Sequence, residues 1–486
     1  MLDLIQWRAR KTPESPALFF NGRWYTFRDM EGRANRLANR LRSLGIQRGD
    51  RVSVIAHNHL VHFDLLLAAP KIGIVYAPLN PHLSAQALAA QAALVKPAMV
   101  FVDSRHHASA AALGVQWARL SEYRDWLVVG SLDVPPPPAL SVDDPHIFYG
   151  TPRGVAVLPY RQVLLNARHS ADAWQLSAQD STVHCLPCFG PELNLLCLPI
   201  LYRGGRVVLM SGFDTDEYLG HLALHRITVS ALTPFMLRQL TEYGDFDEAD
   251  LSSLNWFASV GSPAPLPVRQ ALLDRGLKVR TLYPIAEAGP NLFNATLDDV
   301  ESRPELLGLP LPDVQLMLQD ADGSTVTQGD AGQLLLSGPM VFSGALQAAD
   351  VAIEPAPTPF ASGIAVVQDA DGQYLYRGRS EEAFVSRGTL IYPGEIEAAL
   401  LQLESVMDCA VAGVADGNGD LAILASVVFQ DGVQRDDASL AAALSNYLPE
   451  TRVPAFFHRS KMLPRDAWGV VRRDLLVQQF GQLRAR

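Results

Sequence analysis

Strand-like apolar runs alternate with helical patterns through most of this chain, and that alternation limits its possible folds more than any other feature. Apolar runs occur at 51–56 (RVSVIA), 98–102 (AMVFV), 182–186 (TVHCL), 206–210 (RVVLM) and 228–232 (TVSAL). Between them lie helical stretches such as 30–44 and 63–71. Strands separated by helix-length segments join as parallel neighbours, because a parallel pair needs a crossover connection. The expected class is α/β, with layered, largely parallel sheets. Residues 332–346 (GQLLLSGPMVFSGAL) add a strand-rich lobe, and the Ala- and Pro-rich 348–360 reads as a loop. After Gly378 the pattern restarts as a small α+β unit, with a helix at 394–403 and strands at 409–414 and 423–429. A chain of 486 residues exceeds one core. The expected division is a large domain, 1–381, and a small mobile domain, 382–486, with its boundary near Glu382.

Composition narrows the partners. The net charge is −11 and no basic run is present, which argues against nucleic acid while leaving room for a small anion in a local positive pocket. The first twenty residues carry early charges and no long apolar run, so neither a signal peptide nor a membrane span is expected. Four cysteines fit a reducing cytoplasm. Cys185 and Cys188 form C-x-x-C beside His184, but no second ligand pair follows at zinc spacing, so two core cysteines are the expectation. The proline run at 135–138 reads as a stiff surface linker.

The stretch 143–167 reads DDPHIFYGTPRGVAVLPYRQVLLNA. It closely resembles the phosphate-loop region of the adenylate-forming superfamily, which contains acyl-CoA synthetases, peptide-synthetase adenylation domains and luciferases. There the core of the stretch runs Y-T-S-G-T-T-G-x-P-K-G. Both flanks match, but the loop here is five residues shorter, leaving Gly150, Thr151, Pro152, Arg153 and Gly154. Phosphate loops work because glycines let backbone N–H groups converge and hydroxyls add donors. The deletion removes up to ~17 Å of contour. Losing three hydrogen bonds to a charged ligand would cost ~5–9 kcal/mol. Arg153 stands where the family has lysine, with different reach and geometry. Without its flanks, 150–154 would be an ordinary Pro/Gly surface turn.

The resemblance runs colinearly through 25–44, 48–54, 71–81, 253–265 and 377–400, and its implications can be carried over one position at a time. The family's Tyr-Gly-x-Thr-Glu block is Tyr283, Pro284, Ile285, Ala286, Glu287. It implies Tyr283 against adenine and Glu287 on magnesium, with the α-phosphate hydroxyl lost at Ala286. The ribose-binding aspartate is replaced by Ile364, while the family arginine is kept as Arg379. The hinge acid is kept as Glu382, and Arg387–Gly388 resemble the loop used in thiol capture. Val470 occupies the position of the catalytic lysine. Gly190 replaces the histidine of the block that gates the acyl pocket, and the smaller residue is expected to widen the entrance. The implied pocket is formed by Cys188, Phe189, Gly190, Asn194, Ser259 and Gly261. Tyr283, Glu287 and Arg379 could equally serve packing or the surface.

The altered positions all touch ATP, so efficient ATP-dependent adenylation is expected to be lost while an acyl-type pocket survives. Three functions remain open. One is a pseudoenzyme that binds an acyl or aryl carboxylate, or scaffolds a biosynthetic partner enzyme. The second is an acyl transferase acting on preformed thioesters of CoA or of carrier-protein phosphopantetheine. The third is an active AMP-forming carboxylate–CoA or carrier-protein ligase with unusual ATP and magnesium contacts. Cys188 is a weak candidate nucleophile.

Overall fold

The computed structural model describes residues 2–484 apart from 152, 321, 349–351, 418, 434 and 466–470. Its largest sheet has the strand order Glu354–Pro355, Gly344–Leu346, Gly154–Pro159, Pro145–Thr151, Val75–Tyr76, Arg51–Ile55, Met99–Val102, Gln116–Arg119. The last five of these strands run parallel to one another, and the first four are joined antiparallel. Met99–Val102 is buried along its whole length, as expected of a strand covered on both faces.

A second sheet joins Arg23–Thr26, Pro16–Phe20, Arg206–Leu209 and Ser181–His184. A third, all parallel, joins Val229–Leu232, Trp256–Val260 and Lys278–Leu282. Their edges meet where the Thr228 N–H donates to the Ser181 carbonyl at 3.2 Å.

Local sequence explains the helices that cover these sheets. Phe27–Ser43 begins with a reciprocal cap, Thr26 with Asp29, and buries Phe27, Met30, Ala34, Leu37, Ala38 and Leu41 at helical spacing. Leu60–Ile72 is buried all round and ends at Gly73, whose φ of +76° provides the left-handed stop. Asp64 on this helix lies inside the core, where Arg33 grips both its oxygens at 3.1 and 2.6 Å. A buried carboxylate is tolerated only when paired in this way.

The strand-rich lobe is a six-stranded antiparallel sheet: Phe293–Asn294, Leu306–Pro310, Tyr374–Arg379, Phe360–Gln368, Ala331–Ser337, Gln315–Gln319. Two expectations need correcting here. Gly344–Leu346 leaves this lobe for the edge of the large sheet, and the presumed loop 348–360 contains the strand Glu354–Pro355 that pairs with it. Periodicity reveals a strand but not its partner, so the sheet assignment depended on tertiary packing. The sheets are also parallel only in part.

The chain end builds its own core from Ile391, Ile396, Leu400, Val411, Ala425, Leu440 and Leu444. It surrounds a sheet of Val406–Ala415, Leu421–Phe429 and Phe456–Arg459. This unit docks on helix Leu266–Asp274. The Leu266 N–H donates to the Leu401 carbonyl at 2.9 Å, and Arg269 donates to Gln402 Oε1 at 2.6 Å.

Candidate functional site

The shortened loop is a hairpin turn. Strands Pro145–Thr151 and Gly154–Pro159 pair up to Thr151 opposite Gly154, with two residues between them. Gly150 pairs with Val155, so the backbone here is committed to the ladder rather than to a ligand. The Thr151 hydroxyl is used locally, accepting from the Arg153 N–H at 3.2 Å and donating to the Gly154 carbonyl at 3.4 Å. Gly154 sits at φ +127°, and a side chain there would strike the Leu346 carbonyl. Pro152 lies outside the described residues. Arg153 reaches across to strand Phe360–Gln368. Its guanidinium lies on Gly363, donates to the Ala361 carbonyl at 3.4 Å and pairs with Glu381 at 3.4 Å.

The carried-over adenosine positions come together around strand Phe360–Gln368. Ile364 faces Arg379 in cross-strand register. Tyr283 does not present a free ring, since Tyr376 stacks on it with centroids 3.9 Å apart and planes at 21°. Beside this stack is a cavity of about 20 Å³, lined by Thr281, Tyr283, Ile285, Phe293, Leu307 and Ile364 among others. That volume holds one water or little more. Ala286 is buried in the core. Glu287 is partly buried; burial raises its carboxyl pKa, while Arg153 and Arg379 pull it down. Among the described residues, no group of three His, Cys, Asp or Glu side chains is placed to hold a metal. These residues do not fit a magnesium triphosphate: the Thr151 hydroxyl and the Gly150 backbone are committed locally, one face of the Tyr283 ring is covered, and Ile364 offers ribose no acceptor. Val470 lies outside the described residues.

Around the expected hinge, adjacent acids are held by arginines from opposite directions. Glu381 takes Arg153 from the loop and Arg379 at 3.6 Å. Glu382 takes Arg473, at the start of the helix Arg473–Arg484, at 2.8 Å, and Arg473 also reaches Glu397 at 3.0 Å. This second network is mostly buried, and Glu397 and Glu382 hold Arg473 firmly protonated.

On the acyl side, Cys188, Phe189, Gly190 and Asn194 follow strand Ser181–His184, and Ser259 and Gly261 close strand Trp256–Val260. Ser259 donates to the Ser262 carbonyl at 2.7 Å, and the Gly261 N–H donates to Leu282 at 2.8 Å. None of these six residues lines the cavity beside Tyr283. Cys188 is fixed through its backbone, by Asn58 at 2.9 Å and the Tyr76 hydroxyl at 3.2 Å. Burial pushes its thiol pKa well above the ordinary range, so it is no nucleophile. The expected widening at Gly190 is also corrected: the Glu192 carboxylate folds back into the space a side chain at 190 would occupy. Burial raises Glu192 to about 7, although the residue keeps partial exposure.

Sequence reasoning missed Glu192, Tyr376, Glu381 and Arg473. Glu192 had a readable signal, as the sole acid in the apolar stretch 187–201. Tyr376, Glu381 and Arg473 had none, because their partners come from distant segments.

Comparison with known proteins places this arrangement. Residues 5–346 match the family model described as AMP-binding enzyme, and 395–469 match that of the AMP-binding enzyme C-terminal domain. A feruloyl-CoA synthase from Amycolatopsis sp is 29% identical over 482 residues, covering 98% of each chain. An indoleacetate–CoA ligase from Aromatoleum aromaticum is 27% identical, covering 97% of each. Among solved structures, ATP-bound MatB from Rhodopseudomonas palustris superposes with a TM-score of 0.86 at 23% identity, covering 99% of both chains. Identity that low shows the fold alone. The sequence-based expectations of family and of an α/β fold with a small C-terminal unit are both borne out. None of these relatives' names points to lost activity. Among the described residues, no helix is long and apolar enough to cross a membrane. The chain belongs to the AMP-binding enzyme family, whose matched relatives include CoA ligases.

Proposed function

We propose that this chain handles an acyl or aryl carboxylate, or its thioester, at a ligase-type site whose adenylation half-reaction is impaired. The observation that carries this reading is the hairpin at Thr151–Gly154, which commits the phosphate-loop backbone to strand pairing. The Tyr376–Tyr283 stack and Ile364 support it from the adenosine side. Thiol capture needs no triphosphate, so CoA or a carrier-protein thiol remains a partner under this reading. We place the boundary between a large domain (1–381) and a small domain (382–486) at Glu382, next to the two arginine–glutamate ties, and the reaction in the cytoplasm.

A second reading is an active AMP-forming carboxylate–CoA ligase with replacement ATP contacts. The comparisons favour it over loss of activity, because relatives matched along their whole length are named CoA synthases and ligases. Calorimetry with Mg·ATP and pyrophosphate exchange separates the two. The first reading expects no exchange and no micromolar ATP binding, and expects Val470→Lys alone to restore neither. Low-micromolar affinity or measurable exchange would establish the second. ATP-independent turnover of an acyl thioester distinguishes a transferase from a binding protein.

A further inference from the structure

We infer that a second cavity, which shares no lining residue with the acyl or nucleotide positions, binds a free α-amino acid with an apolar side chain. The cavity measures about 250 Å³ and is lined by Asn294, Thr296, Asp299, Leu309, Leu311 and Gln373 among others. At ~30 Å³ for each water, that is room for about eight. The ribbon of Phe293–Asn294 paired with Leu306–Pro310 separates it from the small cavity beside Tyr283. Phe293 and Leu307 line the small cavity, whereas Asn294 and Leu309 line the large one.

Both amides in the wall are oriented by arginines. Arg280 Nη1 donates to Asn294 Oδ1 at 3.4 Å, and Arg303 Nη2 donates to Gln373 Oε1 at 2.8 Å. A guanidinium only donates, so each amide must turn its oxygen to the arginine and keep its NH₂ group for another acceptor. Among the described residues neither NH₂ group finds one. Arg303 is also matched by Asp369 at 2.7 Å, but Arg280 has no carboxylate among the described residues. Arg280 is 7% exposed, lies 4.3 Å from the Trp256 ring centre, and leaves its Nε without a partner. Burial lowers its pKa to about 10. A buried cation without a counter-ion is costly, and the amide that Arg280 holds forms part of the cavity wall. A ligand carboxylate taking the two NH₂ groups supplies the missing anion. Asp299 makes the opposite demand. One of its oxygens accepts from the Thr296 hydroxyl at 2.6 Å, and among the described residues no Lys, Arg or His pairs with it. It repels a simple acid and attracts an ammonium. A zwitterion answers both ends, and an apolar side chain on it meets Leu309 and Leu311.

The test is calorimetry on the full chain with L-valine, L-leucine and L-phenylalanine. At least one should bind. Its analogues lacking the ammonium or the carboxylate should each bind at least about tenfold more weakly, the ratio expected of one charge-assisted hydrogen bond. Asp299→Asn should weaken the amino acid by about the same factor while sparing the analogue without an ammonium. Leu309 is 52% exposed, so Leu309→Trp fills the cavity without disturbing the core and should abolish binding. Binding that both variants leave unchanged lies elsewhere, the acyl site included, and overturns the inference. So does an analogue that binds as tightly as its amino acid, or failure of all three amino acids to bind at millimolar concentration. None of these outcomes bears on the ligase reading, which is tested separately with ATP and acyl thioesters.

Discussion

The nucleotide side and the acyl side of this molecule differ in how their charged side chains are paired, although both hold buried polar atoms without partners. Around the shortened loop the arginines are paired: Arg153 and Arg379 meet Glu381, and Arg473 meets Glu382 and Glu397, while Glu287 has no ion pair among the described residues. The aromatic platform Tyr283 is covered by Tyr376, although its hydroxyl stays unpartnered. Across the site, the Tyr149 hydroxyl and Asn194 Oδ1 stand without partners, and Glu192 has no ion pair among the described residues. A region whose charges are met internally gains little from a ligand, and one with unmet acceptors has much to gain.

Four substitutions can break or sharpen that contrast. Arg473→Ala has the largest expected effect. It leaves Glu382 and Glu397 facing each other without their cation, and breaking a buried pair costs about 3–5 kcal/mol. Urea denaturation measures it, and a loss under about 1 kcal/mol would mean the nucleotide side is not held by its own charges. Glu192→Gln comes next and depends on pH. The folded-state pKa of Glu192 is raised from 4.5 to about 7. Its contribution to stability is therefore fully present below about 4.5 and is lost as pH rises through about 7. Discounted for partial exposure, the variant should gain ~2 kcal/mol over the parent between pH 5 and pH 8. Parallel pH profiles for the two chains would show that the acyl side holds no strained carboxylate.

Tyr376→Leu removes a stack worth ~1 kcal/mol and uncovers Tyr283. AMP affinity should rise by no more than about tenfold, the lower end of a base–aromatic stack, because Ile364 and the hairpin remain. Recovery of micromolar AMP binding would show that a single side chain closes the nucleotide side. Arg153→Ala is the smallest change. Arg153 and Glu381 are 44% and 56% exposed, so the pair should contribute ~0–1 kcal/mol and fade with salt. A salt-independent loss above that would make this tie equal to the buried one.

Much of the fold was legible because it rests on local periodicity. Apolar runs at 51–56, 98–102 and 206–210 became Arg51–Ile55, Met99–Val102 and Arg206–Leu209, and the helix at 30–44 became Phe27–Ser43 with its Thr26 cap. The deletion at 150–154 was also plain, since a missing segment shows directly as a length. The consequences of that deletion were less visible. Nothing local says that Arg153 would cross to Glu381 or that Tyr376 would cover Tyr283, because those contacts join segments far apart in the chain. Gly190 shows the same limit within three residues. The sequence determined that no side chain fills position 190, but only tertiary packing decided that the Glu192 carboxylate would. Burial sets the cost of every polar group, and burial is a property of the assembled layers rather than of any one segment.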